Sequence, residues 1–135
     1  RYVFVGRFSD SEPLLPNHSR PMGASWAYAN DVKGYVAAGV DIANIYGLPD
    51  GLAPARDFPP PRNDAEYITL GVIRDVDDNT YGGRTALEWP RMAGVPDRRT
   101  GGAREVLFPN RETAQRIVMA PITVPFGSYL TGGVR

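Results

Sequence analysis

The sequence contains no cysteine and a single histidine, His18, among its 135 residues. Without cysteine there is no disulfide bridge, no thiolate metal site and no cysteine nucleophile. One histidine excludes a metal site built from several imidazoles, and no metal site is expected. No apolar run approaches the ~20 residues that a membrane-spanning helix needs, so no membrane insertion is expected. No segment has the charged and apolar regions of a signal peptide.

An excess of charge of one sign is also missing. The chain has 15 basic and 15 acidic residues, which gives a formal net charge of zero. General electrostatic attraction to nucleic acids or membranes is therefore not expected. Lysine is nearly absent, because every cation except Lys33 is an arginine. Arginine suits bidentate binding of phosphate and carboxylate, although a genomic composition bias would give the same count.

The residues that are present describe a single folded domain. A chain of this length forms one core, and residues 1–135 are taken as one domain. Hydrophobic residues make up 42% and charged residues 22% of the sequence, which is typical of globular proteins. Fifteen glycines and thirteen prolines predict many loops and turns. The first residues read as a strand, so we expect this domain to be the C-terminal part of a longer protein.

The most informative stretch surrounds Glu105. The glycines before it, Gly101 and Gly102, allow backbone angles that other residues avoid, which predicts a mobile loop. Residues 106–108 then predict a short buried strand that ends at Pro109. Glu105 would lie on rigid backbone at the edge of a cleft with a loop hanging over it, as an enzyme requires of a carboxylate that meets a ligand. The alternative is a strand-edge glutamate in ordinary solvent.

Hydrophobic spacing and breaker residues predict the other elements. The predicted strands are Tyr2–Val5, the interior strand Tyr67–Ile73, residues 117–124 with Pro121 at a bulge or edge, and a last turn and strand in 127–135. The predicted helices are 25–39, capped by Ser25, a helix or turn over 40–48, and a short helix over 85–92 broken by Pro90. The predicted irregular segments are the loop 9–24, the surface excursion 49–64, the acidic turn 75–79 and the polar connection 111–115.

The order of these elements indicates the fold class. Runs of strands follow the helices instead of alternating strictly with them, which predicts an α+β domain with a mostly antiparallel sheet.

Three short blocks resemble the ADP-ribosylating bacterial toxins. Arg1-Tyr2-Val3-Phe4-Val5-Gly6 is similar to the opening strand of that family. Ser25-Trp26-Ala27-Tyr28, running into Gly34-Tyr35, resembles the second block, where a strand leads into a helix that carries a tyrosine. Glu105-Val106-Leu107-Phe108-Pro109 resembles the third, where the catalytic glutamate precedes an aliphatic strand behind a substrate-recognition loop. The blocks occur in the family's order and cover most of the chain.

The resemblance implies a split β-sandwich that clamps NAD in the crevice between its sheets. Arg7 would contact the phosphate or ribose of NAD, and Ser25 would brace the glutamate. Trp26 or Tyr35 would stack on nicotinamide, and Glu105 would bond the nicotinamide ribose hydroxyl. The enzyme would transfer ADP-ribose to a protein or nucleic-acid acceptor, or to water. The resemblance also implies a secreted or translocated effector acting in the target-cell cytoplasm, with an immunity or inhibitor protein in the producing cell.

Several positions depart from the family's pattern. Arg7 follows Gly6 instead of an aromatic residue, and Ser25 stands without the usual serine and threonine neighbours. Ala103 lies two residues before Glu105, where many transferases carry Glu or Gln to orient the acceptor. This departure counts against transfer to an arginine side chain.

Each proposed site residue also has a plain structural explanation. Arg7 could pair with Asp10 on the surface, and Ser25 could serve as a helix cap. Trp26 and Tyr35, at helical spacing, could be core residues.

Two other functions stay open. One is a ribonuclease-type toxin, in which His18 and Glu105 act as acid and base and Arg20 and the Arg98-Arg99 pair bind RNA. The other is a non-enzymatic binding module, in which the proline-rich stretch 54–61 is the interaction surface.

Overall fold

The structure is a computed structural model that describes residues 2–10, 23–52, 61–74, 81–90, 96 and 98–130. The strands in these ranges are β1 (Tyr2–Ser9), β2 (Ser25–Tyr28), β3 (Tyr67–Arg74), β4 (Gly82–Thr85), β5 (Arg104–Leu107) and β6 (Met119–Pro125). The helices are α1 (Ala29–Ala37), α2 (Ile42–Ile45), α3 (Arg111–Ile117) and α4 (Phe126–Leu130).

The strands form one sheet that is joined weakly in its middle. Its order is β4-β5-β2-β1-β3-β6, and every pairing described is antiparallel. β1 pairs with β3 along its whole length, but with β2 only where Val5 faces Tyr28 and Gly6 faces Ala27. The junction of β1 and β2 is therefore the shortest pairing described in the sheet. The prediction of an α+β fold with mostly antiparallel strands is confirmed. The described strands form one six-stranded sheet, and a second sheet of the implied split β-sandwich is not seen among them.

Alternating side chains give the sheet two buried faces. Val5 and Phe8 of β1 point to opposite sides, because successive strand residues do so. Helices α1, α2 and α4 cover the face of Phe8, and α3 covers the face of Val5; we call these the α1 face and the α3 face. The main buried residues of the α1 face are Phe8, Val32, Ile42, Tyr46, Ile68 and Tyr129. Those of the α3 face are Val5, Trp26, Ile73, Val106, Phe108 and Ala114.

The helix predicted to begin at Ser25 begins four residues later. Residues Ser25–Tyr28 form β2, with Ser25 opposite Leu107 of β5. The residue before α1 is Tyr28, which is extended and makes no side-chain capping bond. Trp26 and Ala27 belong to different faces of the sheet, which is the two-residue period of a strand. The prediction that Ser25 caps a helix is wrong.

Three further predictions need correction. The polar connection 111–115 is the start of α3, which Asn110 caps by accepting a hydrogen bond from the Thr113 N–H at 2.8 Å. The short helix predicted over 85–92 is absent from its described part, where Trp89 instead forms a β-bridge with Arg99. The last turn and strand are replaced, within the described residues, by the helix α4.

Two strand predictions hold. β3 is an interior strand that lies between β1 and β6. β6 forms the edge of the sheet, and its register with β3 shifts between Leu70 and Val72. The shift falls where Pro121 predicted a bulge or edge, next to Ala120, whose φ is 49°.

Some predictions concern residues outside the described ranges. These are His18 and Arg20 in the loop 9–24, most of the proline-rich stretch 54–61, and the acidic turn 75–79. Within the described ranges, no helix combines the length and apolar character needed to cross a membrane.

Candidate functional site

Glu105 is a buried acid on rigid backbone. It lies in β5, which pairs with β2 on one side and β4 on the other. Because Val106 enters the core of the α3 face, the side chain of Glu105 belongs to the α1 face, beside Ala27 of β2 and Arg84 of β4. Only 7% of Glu105 is exposed. The alternative of a strand-edge glutamate in ordinary solvent is therefore wrong.

Arg84 provides the partner that a buried carboxylate needs. Its Nε donates to Oε1 of Glu105 at 2.6 Å, and its Nη2 lies 3.4 Å from Oγ of Ser25. The Arg84 side chain is partly exposed, whereas that of Glu105 is not. Sequence reasoning missed Arg84, because only the register of β4 on β5 brings together two residues so distant in the chain.

The side chain of Arg7 contacts β2 just beyond the point where the pairing of β1 with β2 ends. Pairing of β1 with β2 stops at Gly6, and the Nη1 of Arg7 then donates to the carbonyl oxygen of Ser25 at 2.9 Å. The residue at position 23 must be glycine-sized, because a Cβ there would lie 2.0 Å from the guanidinium carbon of Arg7. The carbonyl oxygen of Ser25, which lies beyond the β1–β2 pairing, thus accepts its hydrogen bond from a side chain instead of from a backbone N–H of β1.

The surroundings of Arg7 act on the pKa of its guanidinium in both directions. Burial lowers the pKa of its guanidinium, the negative charge of Glu105 raises it, and the positive charge of Arg111 lowers it. The ordinary pKa of arginine is so high that the group stays protonated. Arg7 is therefore a desolvated cation within electrostatic reach of Glu105.

Ser25 connects the two arginines. Its carbonyl oxygen accepts from Arg7, and its hydroxyl lies next to Arg84, which holds Glu105. Ser25 reaches Glu105 through Arg84 and not by direct contact. Ser25 thus links Arg7 of β1 to Arg84 and, through Arg84, to Glu105 of β5. By strand alternation Arg7 shares the α3 face with Val5, whereas Glu105 lies on the α1 face.

The structure does not bring Trp26 to this cluster. Its side chain lies on the α3 face, opposite that of Glu105, and is 1% exposed. Its indole N–H donates to the carbonyl of Gly23 at 2.9 Å. A side chain buried in this way has no free face for a ring to stack on, so the assignment of Trp26 to nicotinamide binding is corrected to a core role.

Tyr35 lies on the same side of the sheet as Glu105. It is part of α1, is half-buried, and packs against the core of the α1 face. Its ring meets that of Tyr46 edge-on, with 6.0 Å between ring centroids. Of the two aromatic residues predicted to bind cofactor, Tyr35 is the one whose position allows it.

Residues 101–103 have the backbone conformation that was expected of them, but hydrogen bonds hold them against α2. Gly101 and Gly102 have φ values of 67° and 106°, which confirms the special conformation predicted for them. The N–H of Gly101 donates to Asn44 and the N–H of Ala103 to Ile45, both in α2, at 2.9 and 3.1 Å. Ala103 is fully buried. This segment is therefore packed against α2, and the idea of a loop hanging over Glu105 is corrected.

The alternative partner of Arg7 is engaged elsewhere. The Asp10 carboxylate accepts hydrogen bonds from the backbone N–H groups of Asp64 and Glu66, at 2.8 and 3.1 Å. It therefore anchors the segment that leads into β3.

Two of the arginines assigned to the ribonuclease alternative, Arg98 and Arg99, have structural contacts. Arg98 donates to the buried carboxylate of Asp50, which also accepts from the indole N–H of Trp89 at 3.0 Å. Arg99 is buried, and its guanidinium donates to three backbone carbonyl oxygens and to Asp64. We call Asp50, Leu52, Trp89 and Arg98 the Asp50 cluster.

In the part of the chain that the structure describes, no three carboxylate or imidazole side chains are grouped as a metal site requires. Comparison of the chain with protein-family models, with curated proteins and with solved structures gives no significant match. The arrangement of Arg7, Ser25, Arg84 and Glu105 must therefore be interpreted from its own chemistry.

Proposed function

We propose that this chain is an NAD-consuming enzyme that breaks the bond between nicotinamide and ribose. It would pass ADP-ribose to water or to a macromolecular acceptor. The observation that supports this most is the chain of contacts that links Arg7, Ser25 and Glu105: Arg7 donates to the Ser25 carbonyl oxygen, and Arg84 contacts both the Ser25 hydroxyl and the Glu105 carboxylate. These are the residues that the resemblance to ADP-ribosylating toxins assigns to phosphate or ribose contact, to support of the glutamate, and to catalysis.

The reaction requires one carboxylate close to the ribosyl carbon. When the bond between nicotinamide and ribose breaks, its electron pair leaves with nicotinamide and positive charge develops on the ribosyl carbon and ring oxygen. A fixed anion on rigid backbone stabilises that charge without having to reorganise. Glu105 is such an anion. A water molecule or acceptor group then bonds to the ribosyl carbon and gives up its proton.

The two arginines suit the anionic part of NAD. Arg84 is paired with Glu105, and Arg7 lies within electrostatic reach of the same carboxylate, so these three side chains together carry a net positive charge. A guanidinium binds phosphate through two parallel N–H groups. Arg84 is partly exposed at the sheet edge, and it can turn from Glu105 to the diphosphate. That movement would also free the carboxylate to act on the ribosyl cation, because a paired carboxylate attracts a second cation less strongly.

An aromatic surface for nicotinamide is available at Tyr35. The oxidised nicotinamide ring is planar and cationic, and such rings bind well over an aromatic face. The half-buried position of Tyr35 on the α1 face suits this role.

Water fits the acceptor position better than an arginine side chain does. Ala103, two residues before Glu105, is fully buried and has no polar group to orient an acceptor. Other protein or nucleic-acid acceptors stay within the proposal. A toxin of this kind acts inside a target cell after secretion or translocation, and an immunity protein that fills the site would protect the producing cell.

The test is to incubate the domain with NAD and to follow release of nicotinamide, with RNA in a parallel reaction. We expect nicotinamide release. Cleavage of RNA without nicotinamide release would replace the proposal with the ribonuclease alternative, and the absence of both activities would favour a binding module. Mass spectrometry of protein and nucleic acid added to the NAD reaction separates transfer from hydrolysis.

A further inference from the structure

The buried hydroxyl of Tyr46 has no evident purpose in the fold. Tyr46 follows α2, is 6% exposed, and packs its ring against Phe8, with 5.2 Å between centroids. Among the residues that the structure describes, none gives its hydroxyl a hydrogen bond. Burying an unpaired hydroxyl costs free energy, and phenylalanine would fill almost the same space without that cost. Such a group needs an explanation.

A second tyrosine in the same core shows the ordinary arrangement. Tyr129 of α4 is also buried, at 9% exposure, and its hydroxyl lies 3.4 Å from the carbonyl oxygen of Ala29. The core of the α1 face therefore accommodates a tyrosine hydroxyl with a partner when the role is structural. Tyr46 differs from its neighbour in this one respect.

Tyr46 is positioned near the candidate site. It shares the core of the α1 face with Ala27, which lies opposite Glu105 in β2, and with Ala103, which precedes β5 and lies two residues before Glu105. Burial raises the pKa of its phenol, and the negative charges of Asp31 and Glu105 raise it further. The hydroxyl is therefore protonated at neutral pH, and it is available as a donor.

We propose that Tyr46 is a substrate-binding residue of the Glu105 site, and that its hydroxyl donates a hydrogen bond to an uncharged oxygen of the ligand. This inference depends on the proposed function for the identity of the ligand, whose uncharged oxygens lie on the nicotinamide carboxamide and the adjoining ribose. In this proposal the arginines bind the diphosphate, and Tyr46 contacts the nicotinamide and the adjoining ribose.

The proposal places ligand entry at Tyr35, the half-buried aromatic neighbour of Tyr46. The ring of Tyr35 is half-buried and lies edge-on against that of Tyr46. Rotation of this ring away from Tyr46 would uncover the hydroxyl and present an aromatic face to the same part of the ligand.

The experiment compares Tyr46→Phe with Tyr129→Phe as a matched control. For each variant we would measure urea unfolding, and kcat and KM for nicotinamide release from NAD. Tyr46→Phe should unfold at the same or a higher urea concentration, since it loses an unpaired hydroxyl. It should lose about tenfold in kcat/KM, the value of one hydrogen bond to the ligand. Tyr129→Phe should be slightly less stable and should keep its kcat/KM.

Several results would contradict the role proposed for Tyr46. If Tyr46→Phe is destabilised and keeps its kcat/KM, the hydroxyl has a structural partner and the proposal is wrong. Unchanged stability with unchanged kcat/KM is equally contrary to it. If the wild-type chain releases no nicotinamide, the proposed function fails by itself. Tyr46 is then judged by the thermal shift with nicotinamide riboside: protection of wild type that is lost in Tyr46→Phe supports the proposal, and equal or absent protection rejects it.

Discussion

Two buried acids of this molecule, Asp50 and Glu105, are paired with arginine in different ways. The carboxylate of Asp50 accepts hydrogen bonds from Arg98, from the indole of Trp89 and from the backbone N–H of Leu52. Glu105 has one ion pair among the described residues, from the partly exposed Arg84. Both acids are less than a tenth exposed, so the difference lies in how completely each is partnered.

We interpret the difference as one between an acid that holds the fold and one that is proposed to take part in the reaction. A buried carboxylate with a full set of donors fixes the segments that supply them, and its charge is already compensated. The donors of Asp50 come from widely separated parts of the chain. Glu105, by contrast, depends on one side chain from an edge strand that can leave. We therefore expect substitutions at the two acids to have opposite effects on stability and on turnover.

The largest effect is expected for Glu105→Gln. The amide keeps the size of the side chain but has no charge to stabilise the ribosyl cation, so NAD turnover should fall by at least about a hundredfold. The unfolding free energy should change less than in Asp50→Asn, because Glu105 has a single described donor, Arg84, whose partly exposed guanidinium can turn to water when the charge is removed. Nicotinamide release and urea unfolding are the measurements, with Glu66→Gln at an exposed position as the control. Normal turnover in Glu105→Gln would remove this residue from the mechanism.

The reverse result is expected for Asp50→Asn. This change leaves the donors of the Asp50 cluster poorly matched and should lower the unfolding free energy by about 2 kcal/mol. NAD turnover by the folded protein should be unchanged at a temperature well below the unfolding transition. Loss of turnover without loss of stability would mean that the two acids do not differ as argued.

The pH dependence sharpens this second prediction. The hydrogen bond from Arg98 is the largest of the influences that lower the pKa of Asp50, from an ordinary 3.8 to about 2. A group whose pKa is lowered on folding stabilises the protein above its ordinary pKa and loses that contribution as the pH falls towards its folded value. The difference in unfolding free energy between wild type and Asp50→Asn should therefore shrink between about pH 4 and pH 2. Urea titrations at several pH values in this range check it, and a constant difference would contradict it.

The smallest effect is expected for Arg84→Lys. Lysine keeps the charge beside Glu105 but not the planar fork that binds phosphate through two N–H groups, so KM for NAD should rise about fivefold with little change in kcat. Arg98→Lys is the matched control and should leave KM unaltered. Equal values of KM for Arg84→Lys and wild type would show that Arg84 does not contact the diphosphate.

Much of the fold could be predicted because its strands have local signals. Residues 67–73 and 106–108 are rich in β-branched, aliphatic and aromatic side chains, and the structure places 67–73 in β3 and 106–107 at the end of β5. The start of α1 was mispredicted because Ser-Trp-Ala-Tyr fits a capped helix as well as a strand when its partner is unknown. α3 was missed because its buried contacts near Ala114 and Val118 span a single helical turn.

The site was predictable only where a residue adjoins a strand pattern. Arg7 comes just after the predicted strand Tyr2–Val5, and Glu105 begins the run that ends at Pro109, so both could be proposed from the sequence. β1 in fact continues to Ser9 and includes Arg7. Trp26 was misassigned because a period of two residues turns it to the face opposite Glu105. No local sequence pattern indicates that Arg84 pairs with Glu105 or that the hydroxyl of Tyr46 is unpaired. Both features depend on strand register and on packing between distant segments.

The irregularity in β6 limits how far the sheet can extend. Two of its residues, Pro121 and Pro125, have no N–H to offer a neighbouring strand, and Ala120 has the left-handed φ of 49°. An approaching extended chain would find the row of donors interrupted on this side. The outer border of the domain therefore discourages addition of a seventh strand, and with it edge-to-edge aggregation of copies through β6.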